Sequence, residues 1–127
     1  MELIECSNLP GVHWDAILEI RNENREGFGD SSMIRSGAHC KYMFNHFSNY
    51  LLCVEDDEVL GFIGHVNNDI RLATQKTYQK KGIGKFMVEG FMKKYPEALA
   101  KVKLDNEASL KLFERCGFNK KYYILEK

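Results

Sequence analysis

The spacing of apolar and polar positions changes period several times along this chain, and each change predicts an element. Residues 2–6, Glu-Leu-Ile-Glu-Cys, alternate as a short half-buried strand would. Asn8-Leu9-Pro10-Gly11 reads as a turn. Over 12–26, Val12, Ala16, Ile17 and Ile20 recur at helical spacing, and Gly27-Phe28-Gly29 ends this first helix. Ser31 or Ser32 can cap a second helical region, surest over 38–47, with Cys40, Met43, Phe44 and Phe47 expected on one side. The period then shortens. Residues 50–54, 59–66 and 70–74 read as three strands joined by polar turns at Glu55-Asp56-Asp57-Glu58 and Asn67-Asn68-Asp69. Residues 82–95 return to helical spacing, with Ile83, Phe86, Met87, Gly90 and Phe91 facing inward and Pro96 just past the end. Residues 99–104 alternate as a strand, 106–116 form a helix closed by Gly117, and 122–125 form a last strand. The order β-α-α-β-β-β-α-β-α-β argues for an α/β domain, a mixed sheet flanked by helices.

Composition narrows the class. At 127 residues with 44% hydrophobic positions, the chain fits one domain, 1–127, with a real core. No apolar run approaches the roughly 18–20 residues of a membrane span. The acidic first residues lack the pattern of a secretory signal, so a cytoplasmic location with reduced thiols is expected for Cys6, Cys40, Cys53 and Cys116. None of these cysteines forms a C-x-x-C pair, so no metal site is expected. The zero net charge hides an asymmetry. Residues 1–66 carry 11 acidic and 4 basic side chains, whereas 67–127 carry 7 acidic and 14 basic. The second half therefore suits a polyanionic ligand.

The segment 74–85 concentrates the chemistry. A strand runs into a short loop with Gly82 and Gly84, flanked by Gln79, Lys80, Lys81 and Lys85, and the loop opens a helix around Ile83. A helix start presents unpaired backbone N–H groups and partial positive charge, which together favour a phosphate. Glycines let a backbone approach an anion without a Cβ in the way. The spacing fits neither a Walker loop nor a Rossmann fingerprint; it suggests a pyrophosphate site of another kind, or a tight turn with solvated lysines.

Gln79-Lys80-Lys81-Gly82-Ile83-Gly84 resembles the acetyl-CoA signature of the GNAT acetyltransferases. Asn106, Ser109-Leu110, Leu112-Phe113 and Gly117-Phe118 are similar to that family's second motif, at the usual distance downstream. The resemblance covers nearly the whole chain and implies a mostly antiparallel GNAT-type central sheet. It implies acetyl-CoA as cofactor, with Leu72, Ala73 and Thr74 pairing the pantetheine arm like an added strand. In the family this strand usually carries a bulge that splays it from the next one. Backbone N–H groups from Lys80 to Lys85 would hold the pyrophosphate, and Asn106 would bond the pantetheine. An N–H near Ala73 or Thr74 would stabilise the oxyanion during direct acetyl transfer in a ternary complex. Phe113 stands where the family often has a tyrosine that protonates the leaving thiolate; a phenyl ring cannot do so.

The acceptor side is the less defined. His65, at a strand end, and Asp69, in the following turn, are the candidate proton acceptors; a surface histidine and a plain turn aspartate are the competing readings. Arg21, Asn22 and Arg25 form a polar segment at a helix end. This loosely resembles relatives that acetylate amino groups of nucleotide-linked sugars, where an arginine pair could take the diphosphate. The implied partner is a small-molecule primary amine, with a homodimer sharing edge strands as a further expectation and neither nucleic acid nor membrane as partner. Two other readings stand beside this one: a catalytically idle CoA-binding domain, and a nucleic-acid-binding module using the basic half.

Overall fold

The computed structural model describes residues 1–7, 12–28, 32–79 and 82–127. The predicted turn at 8–11, the Ser31 cap and the side chains of Lys80 and Lys81 lie outside them. Four strands, β1 (Glu2–Glu5), β2 (Tyr50–Glu55), β3 (Glu58–Val66) and β4 (Asp69–Thr74), form one antiparallel sheet in the order β1-β2-β3-β4. Both hairpins close through two residues with positive φ, Asp56 and Asp57 (51° and 63°) and Asn67 and Asn68 (51° and 68°). Aspartate and asparagine tolerate that region better than most side chains, and such turns match the twist of the paired strands.

Helices cover both faces. α1 (Val12–Glu23) and α2 (Ser36–His46) pack on one; α3 (Ile83–Lys94) and α4 (Glu107–Arg115) pack on the other. The α1/α2 face buries Trp14, Ile17, Ile20 and Met43 against Leu52 and Phe62. The α3/α4 face buries Met87, Val88, Phe91 and Phe113 against Leu51 and Ile63. Alternation explains the division: Leu51 and Leu52 are neighbours in sequence and point to opposite faces.

The α/β class and the helix-flanked sheet match the expectation, and five details correct it. α1 ends at Glu23, followed by a short 3-10 turn, Arg25–Gly27. α2 buries His39 and Met43, while Cys40 is exposed and Phe44 is 74% exposed. The segment 99–104 makes one parallel bridge, Leu99 to Asp69, and then leaves β4. Its side chains alternate only over 99–102, with Ala100 and Val102 packed on the core between exposed Leu99 and Lys101; Leu104, in the same phase as Ala100 and Val102, is fully exposed, so burial set a short period without a ladder. Residues 122–125 form no strand: Tyr122, Tyr123 and Leu125 are at least 91% exposed, and high β-propensity does not pair backbone groups without a neighbouring edge. The observed order is therefore β-α-α-β-β-β-α-α. The bulge expected in β4 is also displaced. β4 pairs with β3 in unbroken register, and the irregularity falls between β2 and β3, where Leu60 is the extra residue.

Candidate active site

The site is built on the two edges of β4. Ile70 N–H donates to Leu99 O (2.9 Å), away from β3, whereas Gln75 N–H donates to Leu60 O (2.9 Å), toward it. Antiparallel pairing alternates, so Arg71 and Ala73 bond to β3 while Leu72 and Thr74 direct their N–H and C=O groups outward. On that outer side the chain separates after the Leu99 bridge. It comes back at Lys103, whose Nζ donates to Glu26 O (3.1 Å), and at Asn106, whose Nδ2 lies against Gly27. Beyond the Leu99 bridge the outer edge of β4 thus has no ladder with residues 100–103, which are held instead at the 3-10 turn after α1. Thr74 O is held by Asn24 Nδ2 (2.9 Å); Leu72 N–H, Leu72 C=O and Thr74 N–H have no partner among the described residues. The alternation thus assigns the outward N–H groups to Leu72 and Thr74, and turns that of Ala73 to β3.

The start of α3 lies one short loop beyond Thr74. Gly82 is its N-cap in a left-handed conformation (φ 79°), without a side-chain cap bond, and a Cβ there would meet nothing within 4 Å. No described side chain caps the first N–H groups of α3. Gly84 has another purpose: a Cβ at this position would lie 3.1 Å from Leu112 Cδ2, so it lets α3 and α4 approach. Lys85 is exposed beside Glu89, and Gly82 and Lys85 line an open depression of about 430 Å³ along α3. Gln79 turns its side chain back to Asn24 Oδ1 (2.6 Å), fastening the loop to α1. Ile83 and Phe113 are core residues, the latter 5.1 Å from the Phe118 ring. Asn106 caps α4 through Oδ1, which accepts from Ser109 N–H (3.1 Å), leaving Nδ2 as its donor.

The candidate proton acceptors fall on opposite faces. His65 pairs with Ile70 and points to the α3/α4 side; Val66 pairs with Asp69, which points to the α1/α2 side. His65 Nδ1 accepts from Asn68 N–H (3.2 Å), and its Nε2 is buried against Phe91 and Tyr95 with no partner. Burial holds this imidazole below its ordinary pKa. Asp69 is 8% exposed; Arg71 Nη1 (3.3 Å) and Lys101 Nζ (3.9 Å) share its Oδ2, and Oδ1 is buried and unpartnered. The two residues do not form a pair.

The polar segment at the end of α1 serves the scaffold. Arg21 is buried, donates to Ser32 O (2.6 Å) and lies 5.0 Å from the Phe28 ring centre. Asn22 exchanges two bonds with the Ile34 backbone (3.0 and 2.9 Å). Arg25 sits half-buried on the 3-10 turn. Nothing in the sequence pointed to the group found instead on the α1/α2 face. Tyr42 Oη and Tyr50 Oη are 2.6 Å apart, and burial raises both phenols, Tyr50 well above its usual value. Each therefore stays protonated near neutral pH and serves as a hydrogen-bonding group rather than a base. Tyr50, Gly64 and Arg71 form one row across three strands. The Tyr50 ring leans over Gly64, where a Cβ would come within 2.4 Å of it, toward the Arg71 side of the row. The signal was non-local, because the row exists only once the strands are in register.

Comparison with known proteins decides the family. The acetyltransferase (GNAT) family model matches residues 14–118. The chain belongs to the GNAT acetyltransferase family. No curated protein sequence matches it. Among solved structures, a ribosomal-protein-alanine N-acetyltransferase from Brucella melitensis superposes with a TM-score of 0.81 at 14% identity, covering 94% of this chain and 85% of its own. The acetyltransferase yncA from Salmonella typhimurium, solved with acetyl-CoA, gives 0.79 at 15% identity, covering 93% and 79%. An aminoglycoside 6'-N-acetyltransferase from Acinetobacter haemolyticus gives 0.72 at 15%, covering 100% and 97%. At these identities the likeness is one of fold. This GNAT chain is an acetyl-CoA-dependent N-acetyltransferase, and among the described residues no helix is long and apolar enough to cross a membrane.

Proposed function

We propose that this GNAT enzyme moves an acetyl group from acetyl-CoA to a primary amine of a small molecule, by direct attack in a ternary complex. The observation that carries the reading is the unpartnered edge of β4 at Leu72 and Thr74, opposite a segment that has left it and next to an uncapped helix start. An extended pantetheine arm fits that edge as an added strand. The N–H groups of Ile83, Gly84 and Lys85, with Lys80 and Lys81 nearby in sequence, fit the pyrophosphate. Asn106 Nδ2 is the donor left to bond the arm. Acetyl-CoA supplies the acetyl group as a thioester. The outward N–H of Leu72 or Thr74 is the donor we assign to the carbonyl oxygen as negative charge builds there. Asp69 Oδ1, not His65, is the hydrogen-bond acceptor we assign to the amine, since His65 Nδ1 is already engaged and its Nε2 is enclosed by aromatic rings.

The narrower acceptor, a nucleotide-linked amino sugar, leaned on Arg21 and Asn22. Their bonds to Ser32 and Ile34 leave Arg25 as its remaining support. With Phe113 buried, the leaving thiolate has no phenol from α4. A thiol of pKa near 8.5, by analogy with cysteine, leaves acceptably without one.

The test is thiol release from acetyl-CoA with a panel of primary amines, comparing the parent chain with Gly82→Val. A β-branched residue at positive φ costs roughly 1–2 kcal/mol, so acetyl-CoA affinity should fall about tenfold. Acetyl-CoA binding without transfer to any amine would favour the idle-domain reading. Absence of binding at tens of micromolar would overturn both.

A further inference from the structure

Resting on the acetyltransferase reading, we propose that Arg71 and Asp69 form a bipolar acceptor subsite that selects amines carrying a carboxylate on the neighbouring carbon, that is, free α-amino acids. Both side chains belong to alternate positions of β4 and project from the α1/α2 face, next to the outward edge at Leu72. Asp69 is more than nine-tenths buried, and its Oδ1 has no hydrogen-bond partner. A buried carboxylate oxygen without a donor is costly, and a ligand N–H brought to Oδ1 would remove that cost. An ammonium or amine N–H supplies that donor.

The charge around it decides what else the ligand carries. Oδ2 of the same carboxylate is shared by Arg71 Nη1 and Lys101 Nζ, so one negative group faces two positive ones. An acceptor whose charges are all ammonium would add to this surplus. One with a carboxylate two bonds from its amine offsets it. Arg71 has the means to take that carboxylate: its side chain is 37% exposed, Asp69 is its one ionic partner among the described residues, and a guanidinium presents five donors in a planar fork. A ligand ammonium on Oδ1 and a ligand carboxylate on Arg71 would then set two opposite dipoles side by side.

The row across the sheet supports this placement. With no side chain at Gly64, the Tyr50 ring occupies the space between β2 and Arg71 and carries its hydroxyl, bonded to that of Tyr42, toward the guanidinium. Arg71 lies close enough to bias both phenols downward against the effect of burial. The guanidinium is thus backed by a neutral hydroxyl pair rather than a second carboxylate, which leaves its charge available to a ligand.

The experiment is steady-state acetyl transfer to α-amino acids, the matching α-amino acid amides, spermidine and an aminoglycoside, with acetyl-CoA binding followed in parallel by calorimetry. The amide keeps the amine and side chain and removes only the negative charge. We expect the acids to exceed their amides at least tenfold in kcat/KM, mainly through KM. Arg71→Ala should bring the acid-to-amide ratio close to unity with acetyl-CoA affinity unchanged, and Arg71→Lys should restore part of the ratio. A folding defect would lower both acceptors together and leave the ratio intact. Acids and amides turned over equally by the parent enzyme, preference for spermidine or the aminoglycoside, or a ratio indifferent to Arg71 would overturn the subsite while leaving the acetyltransferase reading standing. No acetyl-CoA binding would overturn both.

Discussion

The two faces of this sheet are built for different work. On the α3/α4 side, Leu51, Ile63 and Ile70 meet Met87, Val88 and Phe91 in an apolar layer, and the polar intruder His65 is enclosed by aromatic rings. On the α1/α2 side the apolar layer around Trp14 and Phe62 shares its face with Arg21, His39, Asp69, Arg71 and the Tyr42–Tyr50 pair. The first face holds α3 and α4 where the β4 edge and the helix start can share one ligand. The second offers polar groups beside the same edge. On the reading proposed above, one strand presents backbone to one substrate and side chains to the other.

Breaking the first face should have the largest effect. Phe91 is fully buried in the α3/α4 layer, and Phe91→Ala should cost about 3–5 kcal/mol in denaturant unfolding. A loss below about 1 kcal/mol would mean that this layer does not hold α3 in place. The second face is sharpened by Gly64→Ala. The new methyl would collide with the Tyr50 ring and displace it, at about 1–3 kcal/mol. Acetyl-CoA affinity should stay as it is while acceptor KM rises. Calorimetry and acceptor kinetics on one preparation separate these outcomes, and a fall in acetyl-CoA affinity would dissolve the division between faces.

The smallest effect is a pH dependence that draws on one histidine from each face. Burial lowers the pKa of His39, whose Nε2–H donates to Trp14 O (2.6 Å), and that of His65. The folded state then binds these protons less readily than the unfolded state. Their contribution to stability is complete above the ordinary histidine value of about 6.5 and declines as pH falls below it toward the folded values. Tm should therefore drop between about pH 6.5 and 5, and His39→Gln and His65→Gln should each flatten part of that slope. A Tm rising on acidification through this range would show that the rings gain stability from charging.

Local chemistry was legible in the sequence; pairing was not. The Asp56-Asp57 and Asn67-Asn68 turns, the α3 stripe from Ile83 to Phe91, and the Gly117 stop after α4 are each written in a few adjacent residues. The segment 99–104 misled because alternation reports which side chains turn inward, and Ala100 and Val102 are half-buried against the core without a strand partner. On α2, the sequence favoured Cys40 and Phe44 as buried over His39, yet a histidine with a carbonyl to bond is the residue that went inside. Gly82 and its lysines pointed to a phosphate site at a helix start, and Gly82 does open α3. The acceptor side could not be read in this way, because Tyr50, Gly64 and Arg71 meet only through register, and Arg21 and Asn22 found backbone partners across a loop.

The central claim is that the outward edge of β4 receives acetyl-CoA, and amide hydrogen exchange tests it residue by residue. In the free protein the Leu72 and Thr74 amides should exchange quickly and that of Ala73, bonded to β3, slowly. With acetyl-CoA at saturation, Leu72 or Thr74 should become protected while Ala73 hardly changes. Bound acetyl-CoA that leaves both outward amides exchanging as before, or an Ala73 amide as fast as its neighbours in the free protein, would contradict the account.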